Sequence, residues 1–282
     1  MLKIAIPNKG QLAEPTQKLL REAGFLKSHH PRDLVVSDPD NDIEFFFLRP
    51  RDVATYVGEG TLDFGITGID LLVDSKSSAE VMIELGFGKS TFRIATDSQS
   101  GIKNLKDLDK TRIATSYPNL LHKWLTENSL NSEIVSLDGA VENAIRLGVA
   151  EAIADVVDTG TTVKQAGLIF VGEIISKSQA VLIKSKKVST SLEVDTFMRR
   201  INSVLVAREY VMMDYDIKKT NLDRATVITP GFESPTISPL QETNWVAVRS
   251  MVKKAEVHKV MDELYKIGAK AIIVTEIMAC RL

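Results

Sequence analysis

The chain has 282 residues, 44% of them hydrophobic and 26% charged, which suits a folded soluble protein of two or three compact units with a substantial core. Its formal net charge of -2 supplies no general cation field, so polymeric nucleic acid is excluded as a first expectation and any phosphate recognition has to be local.

The chain opens on Met1-Leu2-Lys3-Ile4-Ala5-Ile6-Pro7, a strand-like stretch without the charged, apolar and small-residue order of a signal peptide. No apolar run approaches the roughly 18 residues of a membrane span. The expectation is a cytoplasmic protein with no membrane partner. Residues 2–6 read as a strand. Leu12, Thr16, Leu19, Leu20 and Ala23 then share one helical face, stopped by Gly24. A strand follows at 43–48, a helix at 51–57, a third strand at 62–67 and a short helix from Gly68. Ser, Gln, Gly and Asn gather over 96–106, where a change of unit is expected before a strand at 112–115. Pro118 opens the next helix, where its missing amide hydrogen costs nothing. A strand at 134–137, a helix around 140–147 and a strand at 152–157 come after it. This alternation of short β-rich runs with helical patterns argues for α/β units with largely parallel sheets.

Beyond a strand at 181–183, Leu192, Phe197, Ile201, Val204 and Leu205 mark a longer amphipathic helix that carries the chain back across the first unit. The last third changes rhythm to strand 210–217, helix 218–225, strands 236–240 and 245–251, helix 255–267 and strand 271–277. That order is βαββαβ, the split ferredoxin-like arrangement. Cys280 is the lone cysteine, so an intrachain disulfide or a thiolate zinc cluster is excluded, and it reads as a packed thiol rather than a nucleophile. His29, His30, His122 and His258 show no metal-ligand spacing and read as solvated or capping residues.

The most informative stretch is 151–163, where an apolar strand ends in Asp155 and Asp158 and a Thr159-Gly160-Thr161-Thr162 turn leads into a helix. Backbone amides at such a helix start, with Gly160 for access and three hydroxyls beside it, form a site for a phosphate monoester. The two carboxylates either accept hydrogen bonds from ribose hydroxyls or help hold a magnesium ion already bound to a pyrophosphate. The plainer alternative is an ordinary helix cap with solvated acids.

Five motifs shift that balance. Pro7-Asn8-Lys9-Gly10, Arg49-Pro50-Arg51-Asp52, Asp63-Phe64-Gly65-Ile66-Thr67-Gly68-Ile69-Asp70, Arg112-Ile113-Ala114-Thr115-Ser116-Tyr117-Pro118 and the 155–162 loop occur in that order. They are followed by Pro230-Gly231-Phe232-Glu233-Ser234-Pro235-Thr236-Ile237-Ser238-Pro239 and Gly268-Ala269-Lys270-Ala271. Together, over nearly the whole chain, they resemble the ATP phosphoribosyltransferase family in its long form.

The resemblance implies an α/β fold: a two-lobed catalytic core like that of periplasmic binding proteins, plus a C-terminal ferredoxin-like, ACT-like regulatory domain. On that pattern residues 1–95 with 180–207 form catalytic domain I. Residues 96–179 form domain II with the phosphoribosyl loop, and 208–282 the histidine-binding domain. The implied reaction joins ATP to 5-phosphoribosyl 1-pyrophosphate with release of pyrophosphate, as the first step of histidine biosynthesis. It uses Mg2+ and is inhibited by L-histidine, in a homo-oligomer that interconverts between dimer and hexamer. Lys9, Arg49 and Arg51 are assigned to the polyphosphates, with ordinary surface charge as their alternative. Gly10, Asp70, Tyr117, Asp138 and Glu142 are assigned to ATP or ribose, with structural roles open for the last four. Asp155, Asp158, Thr159, Gly160, Thr161 and Thr162 are assigned to phosphoribosyl pyrophosphate, Asp155 or Asp158 also meeting its magnesium. Asp216, Phe232, Thr236 and Ala271 match the family's histidine site, with a plain dimerisation module as the alternative. Two other readings compete. One is a solute sensor or effector-binding module without chemistry, which would bring an export signal or a DNA-binding helix. The other is a different phosphoribosyltransferase, which would share the phosphate loop alone.

Overall fold

The computed structural model describes residues 1–26, 30 and 33–281; the reading of His29 as a solvated or capping residue lies outside the described residues. The chain divides into two compact units, Met1–Lys18 with Leu26–Glu193, and Leu19–Phe25 with Val194–Leu282.

The first unit is built on two sheets. A six-stranded sheet runs in the order Val35–Asp38, Ile43–Leu48, Leu2–Pro7, Phe64–Gly68, Ala180–Lys184, Glu80–Glu84. A five-stranded sheet runs Leu168–Ser178, Ser90–Asp97, Ala152–Val157, Arg112–Thr115, Glu133–Ser136. Each is the centre of one lobe of a periplasmic-binding-protein-like α/β core. In Leu2–Pro7 every residue but Lys3 is buried, as expected of a central strand covered on both faces. Helix Pro50–Gly58 buries Val53, Ala54 and Val57 on its inner face. It lies so close to Phe64–Gly68 that any side chain at Gly65 would collide with Val53 and Val57. At about 1.5–3 kcal/mol for each large aliphatic side chain removed from water, this face fixes the helix without help from strong caps.

The sheets are mixed, not largely parallel. Leu2–Pro7 is parallel to both neighbours and Arg112–Thr115 to both of its own. The remaining pairings are antiparallel. The departure has a cause in the connections: the chain passes between the sheets twice, once between Glu84 and Ser90 and once between Ser178 and Ala180, and each return strand enters against the local direction. Those crossings are bonded to one another through Leu85 N to Ala180 O at 2.9 Å and Ala180 N to Phe87 O at 2.9 Å. Strand Ser90–Asp97 therefore already belongs to the five-stranded sheet ahead of the polar 96–106 stretch. The helix expected around 140–147 is shorter, Asn143–Arg146, because Ala140 takes a left-handed conformation (φ 51°) that interrupts helical geometry.

In the second unit, helix Leu192–Glu209 buries Val194, Phe197, Ile201 and Val204, and Phe197 meets Phe25 with ring centroids 5.3 Å apart. The remainder is βαββαβ. Its four strands lie in the order Thr236–Pro239, Trp245–Lys253, Tyr210–Lys218, Lys270–Glu276, all antiparallel, which is the ferredoxin-like sheet. Helices Leu222–Ile228 and Val257–Lys266 cover one face with a core of Val211, Met213, Tyr215, Ile217, Ala225, Val260 and Leu264. The buried Tyr215 hydroxyl is satisfied by Thr229 Oγ1 at 2.7 Å. No helix among the described residues is long and apolar enough to cross a membrane.

Candidate active site in the two-lobed unit

Two cavities meet along the lobes. The first, about 170 Å3, is lined by Lys9, Gly10 and Gln11 from the turn after Leu2–Pro7, by Gly68 at the end of strand Phe64–Gly68 and Asp70 in the first turn of helix Ile69–Asp74, and by Tyr117, Ser90 and Ser178. These residues arrive together because parallel strands end on the same edge of a sheet, so the turns that follow them converge there. The second, about 240 Å3, is lined by residues 155–163 with Gln11 and Glu142. A third, of about 560 Å3, lies at the crossing strands, where Asp158 meets Lys89, Lys177 and Glu84.

Asp70 is 7% exposed. Its backbone N–H donates to Ser178 Oγ at 3.1 Å and its carboxylate accepts from Leu71 N at 2.8 Å. Burial holds its pKa above the usual carboxylate value, against these hydrogen bonds and the nearby Arg51. Asp155, at the end of its strand, is pushed up to about 6 by burial, with the Glu142 and Asp70 carboxylates adding to the rise and a bond from Val156 N opposing it. The Tyr117 phenol is raised by burial and by the Asp70 and Asp155 carboxylates, so it stays protonated as a hydrogen-bond donor. The cleft wall is therefore a run of desolvated acids, and Lys9 is the one lysine or arginine among the described residues that line the Asp70 cavity.

In the loop, Gly160 takes φ 75°, a conformation an L side chain rarely adopts. Thr161–Gln165 follows as a five-residue helix. The Thr159 and Thr161 hydroxyls are 2.8 Å apart and Thr161 N donates to Thr159 Oγ1 at 3.4 Å. Residues 159–162 thus line one concave surface.

Of the residues singled out from sequence, Lys9, Gly10, Asp70 and Tyr117 come together in the first cavity and Glu142, Asp155, Asp158, Thr159, Gly160, Thr161 and Thr162 in the second. Arg49 and Asp138 are exposed and line none of the three cavities. Arg51 is engaged structurally: Nη1 pairs with Asp74 at 2.5 Å, Nη2 donates to Ser116 O at 2.5 Å, and the guanidinium lies 5.1 Å from the Tyr117 ring centroid. Asp74 in turn accepts from Asn119 N at 2.9 Å and Leu120 N at 3.1 Å, so it caps helix Pro118–Glu127 of the other lobe. Sequence reasoning passed over Gln11, Ser90 and Ser178. The two serines sit on the crossing strands, where the pair Ser90 and Ser178 is set by long-range register and no local pattern announces it.

In the second unit, Asp216 lies on the sheet face opposite the helices, beside Lys270 and Ala247 in register. Thr236 is across from Arg249, and Arg249 bonds Asp214 at 2.7 Å. Ala271 takes φ 49° beside the irregularity between Asp214 and Asp216. Phe232 is 51% exposed, its ring 6.2 Å from that of Tyr210.

Comparison with known proteins decides the family. The family model described as ATP phosphoribosyltransferase matches residues 49–203, and that of the HisG C-terminal domain matches 207–279. Curated ATP phosphoribosyltransferases from Pseudarthrobacter chlorophenolicus and Bifidobacterium longum are 54% and 50% identical, each over 100% of both chains. The chain belongs to the ATP phosphoribosyltransferase family. The C-terminal domain makes it a member of the long form, and its activity is that of a phosphoribosyltransferase acting on ATP in the first step of histidine biosynthesis. A solved chain of the ATP phosphoribosyl transferase (HisG:HisZ) complex from Thermotoga maritima is similar at TM-score 0.63 and 26% identity, covering 72% of this chain and 97% of that one. Tv2483, solved bound to L-arginine, shares the fold alone, with TM-score 0.50 and 13% identity over 73% of this chain and 83% of that one.

Proposed function

We propose that the protein condenses ATP with 5-phosphoribosyl 1-pyrophosphate to N1-(5-phosphoribosyl)-ATP and pyrophosphate, and that L-histidine inhibits it through the C-terminal domain. The observation that carries the catalytic reading is the convergence of Lys9, Asp70, Tyr117 and the 155–162 loop, distant in sequence, on two adjoining cavities. The loop holds the 5-phosphate and ribose, its concave backbone and hydroxyls taking the phosphate oxygens and Asp155 a ribose hydroxyl. Asp70 and the protonated Tyr117 orient the adenosine side. Lys9 stands where a polyphosphate reaches the Asp70 cavity and offsets the negative charge that grows as pyrophosphate leaves. The adenine N1 is nucleophilic enough to attack the anomeric carbon without a strong base, so catalysis rests on positioning and charge neutralisation.

Among the described residues no group of three or more His, Cys, Asp or Glu side chains forms a metal cage. Asp155 and Asp158, both lining the loop cavity, suit a hard cation that arrives already bound to phosphates and needs one or two carboxylates. Mg2+ bound in this way would neutralise the leaving pyrophosphate, and Asp155 or Asp158 would hold it. Arg49 and Arg51 are not assigned to the polyphosphates in this reading. The proposed setting is a cytoplasmic homo-oligomer, dimer or hexamer.

Pyrophosphate release is measured with ATP, phosphoribosyl pyrophosphate and Mg2+, each omitted in turn, then with L-histidine. Release that needs all three and falls with histidine is expected; none under any condition sinks the proposal. Lys9→Ala is expected to lower kcat/KM at least about tenfold.

A further inference from the structure

The loop cavity is lined by acids. Asp155, Asp158 and Glu142 all line it, and among the described residues no lysine or arginine does. Lysines stand in the neighbouring cavity, where Lys89 and Lys177 share the lining with Asp158.

Directly across the antiparallel pairing from Asp155 stands Arg93, and residues opposite one another on paired strands present their side chains to the same face. The Arg93 guanidinium lies 3.9 Å from the centroid of the Phe170 ring. Its Nε is buried with no hydrogen-bond partner, an arrangement that folded proteins seldom leave uncompensated. Phe170 pairs in register with Ala95, two residues along from Arg93 and so on the same face. Its ring edge is 3.5 Å from where a Cβ on Gly160 would stand. Gly160 of the loop thus rests against Phe170, and Phe170 against Arg93.

We propose that Arg93 is a positioning residue for the phosphoribosyl pyrophosphate loop: stacked on Phe170, it braces the loop at Gly160. The inference rests on the functional reading of that loop given above. Arginine suits the role for two reasons. Its planar guanidinium stacks on a ring, and it stays charged when desolvated. Lysine preserves the charge and loses the planar stack; Phe170→Leu preserves the charge and loses the platform.

The test uses the full chain as wild type, Arg93→Gln, Arg93→Lys and Phe170→Leu. Initial rates are taken with each substrate varied at saturation of the other, and ribose 5-phosphate binding is followed by calorimetry. Arg93→Gln is expected to raise KM for phosphoribosyl pyrophosphate about tenfold and to weaken ribose 5-phosphate similarly, with KM for ATP and kcat changed less than about threefold. Arg93→Lys recovers part of the loss, and Phe170→Leu falls between. If Arg93→Gln does not fold, the Lys and Leu variants carry the same comparison. An active wild type whose variants keep their KM for phosphoribosyl pyrophosphate, or raise both KM values equally as the melting temperature drops, overturns this inference alone. A wild type that releases no pyrophosphate overturns the functional reading and this inference with it.

Discussion

Asp155 shows how a single residue joins stability to function. Burial raises its pKa from the usual carboxylate value to about 6, so between about pH 4 and 6 the folded protein binds a proton that the unfolded chain releases. Stability contributed at this site is therefore greatest in acid and is lost as pH rises through that window. Asp155→Asn removes the penalty, and the variant is expected to be more stable than wild type at pH 7.5 by roughly 2–3 kcal/mol while losing activity. Melting temperatures of both proteins from pH 4.5 to 7.5 check this; a gap that does not narrow toward acid contradicts it. The carboxylate was legible in the sequence as a strand-end acid ahead of a Thr-Gly-Thr-Thr turn. Its desolvation was not, because it depends on what Tyr117 and Asp70 place nearby.

At the scale of elements, the informative assembly is Arg51, Asp74 and the start of helix Pro118–Glu127. Asp74 is 2% exposed and joins two lobes of the first unit by accepting from Asn119 and Leu120 backbone amides while paired with Arg51. That helix has Pro118 in its first turn and no side-chain cap of its own from Tyr117, so Asp74 supplies what the local sequence lacks. Asp74→Ala is expected to cost about 2–3 kcal/mol through the lost cap and the orphaned guanidinium, discounted because Arg51 is partly solvated. Asp74→Asn, which keeps an acceptor, should recover a portion. Thermal melting of the two variants checks the order, and equal loss in both would show that the acceptor does not matter. Arg51 was assigned from its motif to the polyphosphates, and the structure pairs it with Asp74: a motif fixes the residue type, and the partner, 23 positions away, is chosen by packing.

On the scale of the whole molecule, helices Leu222–Ile228 and Val257–Lys266 cover one face of the C-terminal ferredoxin-like sheet, and Asp216 and Thr236 lie on the other. If L-histidine binds there, it stabilises the folded protein by mass action. At about 100 times its Kd, the rise in stability is about 2.7 kcal/mol. Asp216→Ala should abolish the histidine-dependent rise in melting temperature and the inhibition while leaving pyrophosphate release intact. An inhibited Asp216→Ala protein would remove this residue from the regulatory site.

Periodicity and turn residues determined most of the elements: the strand at the start of the chain, the helix at 51–57, the helix opening at Pro118, and the full βαββαβ order of the last third. These signals are local, set by side-chain alternation, by a proline's missing donor or by a glycine's reach into left-handed backbone. The order of the motifs along the chain also determined the family. Strand direction was left to the tertiary structure, as were the edge strands Val35–Asp38 and Glu80–Glu84 and the long Leu168–Ser178 strand with its irregular register. So were the pairing of Ser90 with Ser178, the diversion of Arg51 to Asp74, and the stack of Arg93 on Phe170. Each of these depends on which distant segments meet. A polar or bulged strand acquires its identity only from the neighbour that satisfies its backbone, and a charge acquires its role only from the partner that desolvates or pairs with it.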